Sequence, residues 1–285
     1  MHQPVSPTVR LRKLTRGLRR WRSGSGLRLE DVTSGLNWSK AKLSRFEKGD
    51  TIAGPSEVLA LAAIYGIDDA ERDEYVALAF QARKKGWWKR YDPNTLAANF
   101  EEYVGLESEA SQVREFSSVL IPGLLQTEAY ATALMNAWIP QADEAVAEDR
   151  TQLRTKRQAR LRGSKPMRLK VVIQEAALRQ LVGGAEVMRE QLEHLASCAK
   201  LRNVSIRVLP FSAGAAPSLG LPFIILSFLD EEDPDVAFAE YLTGSVYLEH
   251  KSEIESYNLN FGTLEAKALS QKESSALLGA LAQEL

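Results

Sequence analysis

Leu29, Val32 and Leu36 recur at helical spacing, Leu43 and Phe46 do the same a few residues on, and a polar turn separates the two sets. Asn37 stands in that turn. Asparagine is the non-glycine residue that best tolerates the left-handed backbone of a sharp turn between helices. Ser39 can cap the helix that follows, with Lys42 where a capping-box acid would otherwise sit. Pro55 opens another helix through Tyr65, and Asp69 to Lys85 forms one more with Tyr75, Leu78 and Ala79 inward. With an arginine-rich helix ahead of them, these segments predict five short helices.

From residue 100 the pattern mixes. Phe100 to Gln112 reads as helix, and Arg114 to Ile121 alternates like a strand. Pro122-Gly123 turns the chain, Thr127 with Glu128 starts a helix, and a long helix spans 144–162. Strands are expected at 168–174, 204–210, 222–229, 235–242 and 245–249. DEEDP and Thr243-Gly244 separate the last three, which predicts an antiparallel β-meander. Helices at 186–201, 252–267 and 270–283 complete the chain. The expected fold is α + α/β: a five-helix domain over 1–82, a junction over 83–99, and a mixed α/β domain over 100–285.

Charge sharpens that division. The net charge of −1 hides a split, because residues 1–90 hold 18 Lys and Arg against 10 Asp and Glu. Residues 91–285 hold 18 against 27. A compact domain as basic as the first attracts polyanions and releases their counterions on binding. Arg10, Arg12, Lys13, Arg16, Arg19, Arg20 and Arg22 crowd its first helix. On the helix after Asn37, Lys40, Ala41, Ser44 and Arg45 lie opposite Leu43 and Phe46, with Lys42 and Lys48 adding charge. A helix with an apolar back and a small, basic front fits a DNA major groove. An ordinary amphipathic hairpin with a solvated basic face fits the same spacing. In the junction, RKKGWWKRYDP at 83–93, Trp87 and Trp88 could stack on nucleic acid or rest on a membrane surface. Pinning the two domains together is the favoured role, since paired tryptophans are costly to leave in water.

A second basic run lies in the acidic half. Arg150 through Gln174 holds nine Lys or Arg and no Asp or Glu. Arg150, Arg154 and Arg157 recur at helical spacing and share one face. Such a stripe either pairs with acids of its own fold, here the DEEDPD loop, or offers a docking face to an acidic partner.

Chemistry beyond binding finds little support. His2, His194 and His250 are widely separated, with no Cys or acid at metal-ligand spacing. No nucleophile elbow, phosphate loop or dinucleotide fingerprint occurs. Gly183-Gly184 reads as a C-cap and turn. Glu175 could act as an acid or base, but a carboxylate there more readily caps the next helix. Neither an enzyme nor a cofactor or metal is expected. Cys198, the single cysteine, lies in the apolar pattern of a helix and reads as a buried thiol. The longest mainly apolar run, Leu219 to Leu229, is about half of the roughly 20 residues a membrane helix needs. The N-terminus lacks a secretory pattern, so the expected location is the cytoplasm.

LRRWR at 18–22, GLRLEDV at 26–32 and LSRFEKG at 43–49 resemble the repressor domain of Cro-type (xenobiotic-response-element) helix-turn-helix regulators. PGLLQTEAYA at 122–131, RTKRQARL at 154–161, VIQEAALR at 172–179, IRVLPFSAG at 206–214 and LPFIILSFLD at 221–230 resemble the C-terminal domain of actinobacterial antitoxin-like regulators of the WhiJ type.

The first resemblance implies that Lys40, Ala41, Ser44 and Arg45 face bases and that Arg28 and Ser39 contact phosphates at helix starts. It also implies an ion pair between Arg22 and Glu47 that locks the first helix to the recognition helix. Leu29 departs from a common Gln that touches DNA, and Thr33 from an Ala where two helices approach closely. Together the resemblances imply a sequence-specific transcriptional regulator, a repressor acting as a homodimer on double-stranded operator DNA. Its second domain would respond to a small partner protein, with Arg150, Arg154 and Arg157 as the docking face. The alternative is a small-molecule sensor with an apolar cavity near Leu124, Leu125 and Tyr130. An enzyme fused to a DNA anchor ranks last.

Overall fold

The structure is a computed structural model and describes residues 9–83, 98–138, 144–229, 233–241 and 244–285, without the side chains of 98, 99, 138 and 144–148. They form two compact units, one within residues 1–90 and one within 91–285. Trp87, Trp88 and His2 lie outside the described residues.

In the first unit the described helices are α1 (Val9–Ser25), α2 (Leu29–Leu36), α3 (Lys40–Lys48), α4 (Pro55–Tyr65) and α5 (Asp69–Ala82). One apolar core joins them, built on Leu14, Leu18 and Trp21 of α1 with Val32, Leu43 and Leu61. The approach of α1 to α5 depends on Gly17, where a Cβ would fall 1.9 Å from the Tyr75 ring. That ring meets Trp21 at 4.8 Å between centroids. The buried indole N–H donates to Glu71 Oε1 at 2.8 Å, so burying it leaves no donor unsatisfied. Between α2 and α3, Asn37 takes φ 52° and ψ 44°, the left-handed conformation the turn requires. The N–H of Trp38 then donates to the Thr33 carbonyl at 2.9 Å and closes the helix end.

The second unit is built on a six-stranded mixed sheet. Its strands are β1 (Gln112–Ser117), β2 (Arg168–Gln174), β3 (Val204–Leu209), β4 (Phe223–Ser227), β5 (Val236–Tyr241) and β6 (Gly244–Leu248). They run in the order β3-β2-β1-β4-β5-β6. β1 pairs parallel with β2 and antiparallel with β4, and β2 pairs parallel with β3. The expected meander is present as β4, β5 and β6. The parallel half is set by β1, which sits at the joint.

Around the sheet stand α6 (Ala98–Glu109), α7 (Glu128–Trp138), α8 (Glu144–Gln158), α9 (Glu175–Arg179), α10 (Ala185–Cys198), α11 (Lys251–Lys267) and α12 (Gln271–Glu284). Phe116, Phe223 and Ile225 pack against Phe261 and Leu264 of α11 on one face. Strand alternation turns Val113 and Glu115 to the other face, where Glu115 meets the charges of Glu107 and Arg157. The outer edge of β3 is covered: Leu269 N donates to Val208 O at 2.8 Å, and Val208 N donates to Ser274 Oγ at 2.9 Å.

Several boundaries differ from the sequence expectation, and the strand read over Arg114 to Ile121 instead spans Gln112–Ser117, because Ser117 Oγ donates to Leu120 O and the chain turns out of the sheet there. The helix read to Gln112 stops at Glu109, because Ser111 N already donates to Ser227 O at 2.9 Å and draws the chain into the sheet. The helix read to 162 ends at Gln158 and continues as a tighter turn over Ala159–Leu161. Gly183 and Gly184 do form a turn, at φ 75° and 92°, yet α9 is capped by Gln180 and Gly184 instead starts α10.

Candidate nucleic-acid interface

α3 is presented by its cap and its core contacts. Ser39 Oγ accepts from Lys42 N at 3.1 Å, which satisfies one free donor of the first turn. Leu43 and Phe46 are buried, so Lys40, Ala41, Arg45 and Lys48 stand exposed on the opposite side, with Ser44 half-buried at its margin. Lys40 Nζ contacts Glu30 Oε1 at 2.8 Å, and the lysine holds that carboxyl below the usual range. Both partners are exposed, so the pair adds little stability and a phosphate could replace the glutamate.

Lys42 takes a different direction from its neighbours. Its ammonium lies 4.2 Å from the Trp38 ring centroid and 3.5 Å from Glu57 Oε1. With Arg45, Thr51 and Arg83 it lines an open cleft of about 470 Å³ beside the start of α4. Thr51 and Arg83 belong to this surface although no sequence pattern singles them out. Gly54 makes room for Arg83, whose Nη1 would lie 2.6 Å from any Cβ there.

The pair expected to orient α3 is formed. Arg22 Nε and Nη2 donate to Glu47 Oε1 and Oε2 at 2.6 and 3.0 Å, a two-pronged contact between α1 and the end of α3. Glu47 is buried and holds the Arg22 pKa up, mainly through that hydrogen bond. Burial, with the Glu47 charge second, pushes the Tyr65 hydroxyl up to about 12. The two departures have physical places. Leu29 packs against the core, and buried Thr33 donates its hydroxyl to Glu30 O at 3.1 Å. Arg28 precedes α2 with its guanidinium exposed and paired to Asp31 at 3.2 Å, while Asp31 also accepts from the Arg28 backbone N–H.

In the second unit the arginine stripe turns inward. Arg157 is buried, and its Nε and Nη2 donate to Glu107 Oε1 and Oε2 at 2.7 and 2.8 Å. Tyr103 Oη donates to the same carboxylate at 2.7 Å. The guanidinium also lies over the rings of Phe100 and Tyr103, 5.0 and 5.4 Å from their centroids. Arg154 Nη1 donates to Gln126 Oε1 and lies 3.5 Å from Gly123 O, and Arg150 Nη1 reaches Met135 Sδ at 3.0 Å. The stripe faces its own unit because α8 packs that side against α6, α7 and the segment before α7. Its acid is Glu107, whereas Asp235 of the DEEDPD loop binds Arg114 at 2.7 Å.

Leu124, Leu125 and Tyr130 are at most 2 % exposed and belong to the core. Tyr130 Oη accepts from Ile121 N at 3.2 Å. The cavity of this region opens on the polar residues between Leu125 and Tyr130, Gln126 to Glu128, and holds about 270 Å³. Glu175 accepts from Phe211 N at 2.9 Å and Arg179 Nε at 2.7 Å, so it pins a loop to the start of α9. Cys198 is buried with its Sγ 3.4 Å from His194 Nε2. Among the described residues no three metal-ligating side chains gather, and no helix is long and apolar enough to cross a membrane.

Comparison with known proteins agrees with this division. A family described as a helix-turn-helix domain matches residues 13–75, which span the capped α2–α3 pair and the core around it. A second family, a domain of unknown function designated DUF5753, matches residues 100–280. No curated protein and no solved structure matches the chain. The outward basic face of α3, its cap and its Arg22–Glu47 anchor lie within the helix-turn-helix match, and the mixed sheet within the larger one: the chain belongs to the DUF5753 family and carries a helix-turn-helix domain ahead of it.

Proposed function

We propose that the chain is a sequence-specific DNA-binding transcriptional regulator, a repressor acting as a homodimer, whose second unit controls the first. The observation that carries the DNA reading is the exposed row Lys40, Ala41, Arg45 and Lys48 on a helix held by its cap and by Glu47. Arg45 reads a base. A bidentate contact to a guanine edge contributes about 1–3 kcal/mol of discrimination. On an operator selected from random duplexes, Arg45→Ala is therefore expected to lower cognate affinity roughly 5- to 150-fold and random-sequence affinity far less. Equal losses on both DNAs would assign Arg45 to a phosphate.

One α2–α3 pair spans too few base pairs for operator selectivity. Two copies are expected on half-sites about 34 Å apart, one helical turn of DNA. Light scattering of the protein–operator complex measures this directly, and a single copy bound at saturation would overturn the homodimer.

For the second unit, small-molecule sensing has more support than docking of an acidic protein partner on Arg150, Arg154 and Arg157. Arg157 is engaged with Glu107 inside the unit, and a polar cavity lies beside Arg154.

A further inference from the structure

The cavity of about 270 Å³ lies between α8, α10 and the start of α7. α8 contributes Thr151, Arg154 and Thr155, α10 contributes Glu190 and His194, and Glu128 comes from the first turn of α7. A space of a few hundred Å³ is at the small end of ligand sites and suits a molecule of roughly ten non-hydrogen atoms.

Its charges are arranged in a telling way. Arg154 is half-buried, and among the described residues its hydrogen-bond partners are the neutral oxygens of Gln126 and Gly123. The positive charge beside it is Arg157, which already holds Glu107. Burial, and then Arg157, bring the Arg154 pKa down to about 10, so the guanidinium stays charged at neutral pH. A cation withdrawn from water with no counter-ion in contact is costly, and an anion placed against it relieves that cost. Glu128 and Glu190 are exposed at the rim and have no ion-pair or hydrogen-bond partner among the described residues. His194, one turn after Glu190 on α10, is a half-buried part of the lining, and burial, with Arg162 second, holds its pKa below the ordinary value. The threonine hydroxyls complete a polar lining.

This pattern selects among ligands. A simple anion would meet Arg154 but also two carboxylates of its own sign. A simple cation would meet the carboxylates but also Arg154. An apolar molecule would shut water away from Glu128 and Glu190 and give Arg154 no counter-charge. We propose that the cavity binds a small zwitterion of the amino-acid class, its carboxylate against Arg154 and its ammonium toward Glu128 and Glu190. The proposal deepens the reading of this unit as the controlling one. Its test uses no DNA, so failure of this inference and failure of the DNA reading are distinguishable.

The experiment is thermal melting of the full chain with each standard amino acid at millimolar concentration, followed by calorimetric titration of those that raise the melting temperature. The matched carboxylic acids without the amino group, and the matched amines without the carboxylate, serve as controls. At least one amino acid is expected to bind, with both controls at least tenfold weaker. Arg154→Gln is expected to abolish that binding, and Glu128→Gln combined with Glu190→Gln to weaken it about tenfold. Because both glutamates are exposed, the double variant folds even if Arg154→Gln does not, and it keeps the test decisive. The proposal is overturned if no amino acid binds. It is also overturned if the acids or the amines bind as well as the amino acid, or if the glutamate double variant binds it unchanged.

Discussion

Replacing Arg157 with leucine is expected to destabilise the second unit by about 3–5 kcal/mol, the cost of leaving a buried charge without its partner. Glu107 is 1 % exposed, and without Arg157 it keeps, among the described residues, only the Tyr103 hydroxyl as a donor. Glu115 and Glu240 face the same interior, and for both Arg157 opposes the upward pull of burial on the carboxyl pKa. One guanidinium thus serves three carboxyl groups, and its loss is felt by all of them. Urea unfolding of the full chain measures the change. The double variant Arg157→Leu with Glu107→Leu should recover much of it, because removing both partners leaves neither charge stranded. A single variant that unfolds like the parent would show that the pair does not support the unit.

The same interior should make the unit less stable as pH rises. Burial, with the charge of Glu107 second and Arg157 in opposition, pushes the Glu115 carboxyl from 4.5 up to about 8. Between those two values the folded chain holds a proton that the unfolded chain has released. Stability from this group is therefore complete below 4.5 and is lost as pH climbs toward 8, at no more than about 1.4 kcal/mol per pH unit. Glu240 moves in the same direction, again through burial. Glu115→Gln, which keeps the shape without the acid, should flatten the slope and raise stability near pH 8. Unfolding series from about pH 5 to 8.5 on both proteins check this. A parent stability that climbs through the window would contradict it.

Much of the first unit was legible in the sequence because its signals are local. Asn37 marks a left-handed turn, Ser39 a cap, and the spacing of Leu43 and Phe46 decides which side of α3 is exposed. The Arg22–Glu47 pair joins residues 25 apart, and a family resemblance, not periodicity, pointed to it. The second unit was legible only in pieces. The β4–β6 meander follows from short connections, whereas nothing in the alternation of Gln112 to Ser117 says that its neighbours are β2 and β4. Helical spacing placed Arg150, Arg154 and Arg157 on one face correctly. It could not say that the face points inward, since the acid that receives Arg157 lies fifty residues upstream on another helix. Leu124, Leu125 and Tyr130 suggest the wall of an apolar cavity, yet their apolar character puts them in the core and leaves the opening to Gln126 and Thr127.

The position of β1 at the joint of the sheet has a consequence for the order of folding. Gln112–Ser117 must wait for Arg168–Gln174 and then for Phe223–Ser227, so its two ladders close over 56 and more than a hundred residues of chain. Distant pairings of this kind carry a loop-closure cost before any contact rewards it, and they fold slowly. The five helices ahead of them close over spans of about sixty residues or fewer, the longest joining α1 to α5, and leave the ribosome before the sheet is complete. The helix-turn-helix unit therefore completes its fold while the sheet behind it is still unfinished, and during synthesis its basic face is in place before the unit proposed to control it.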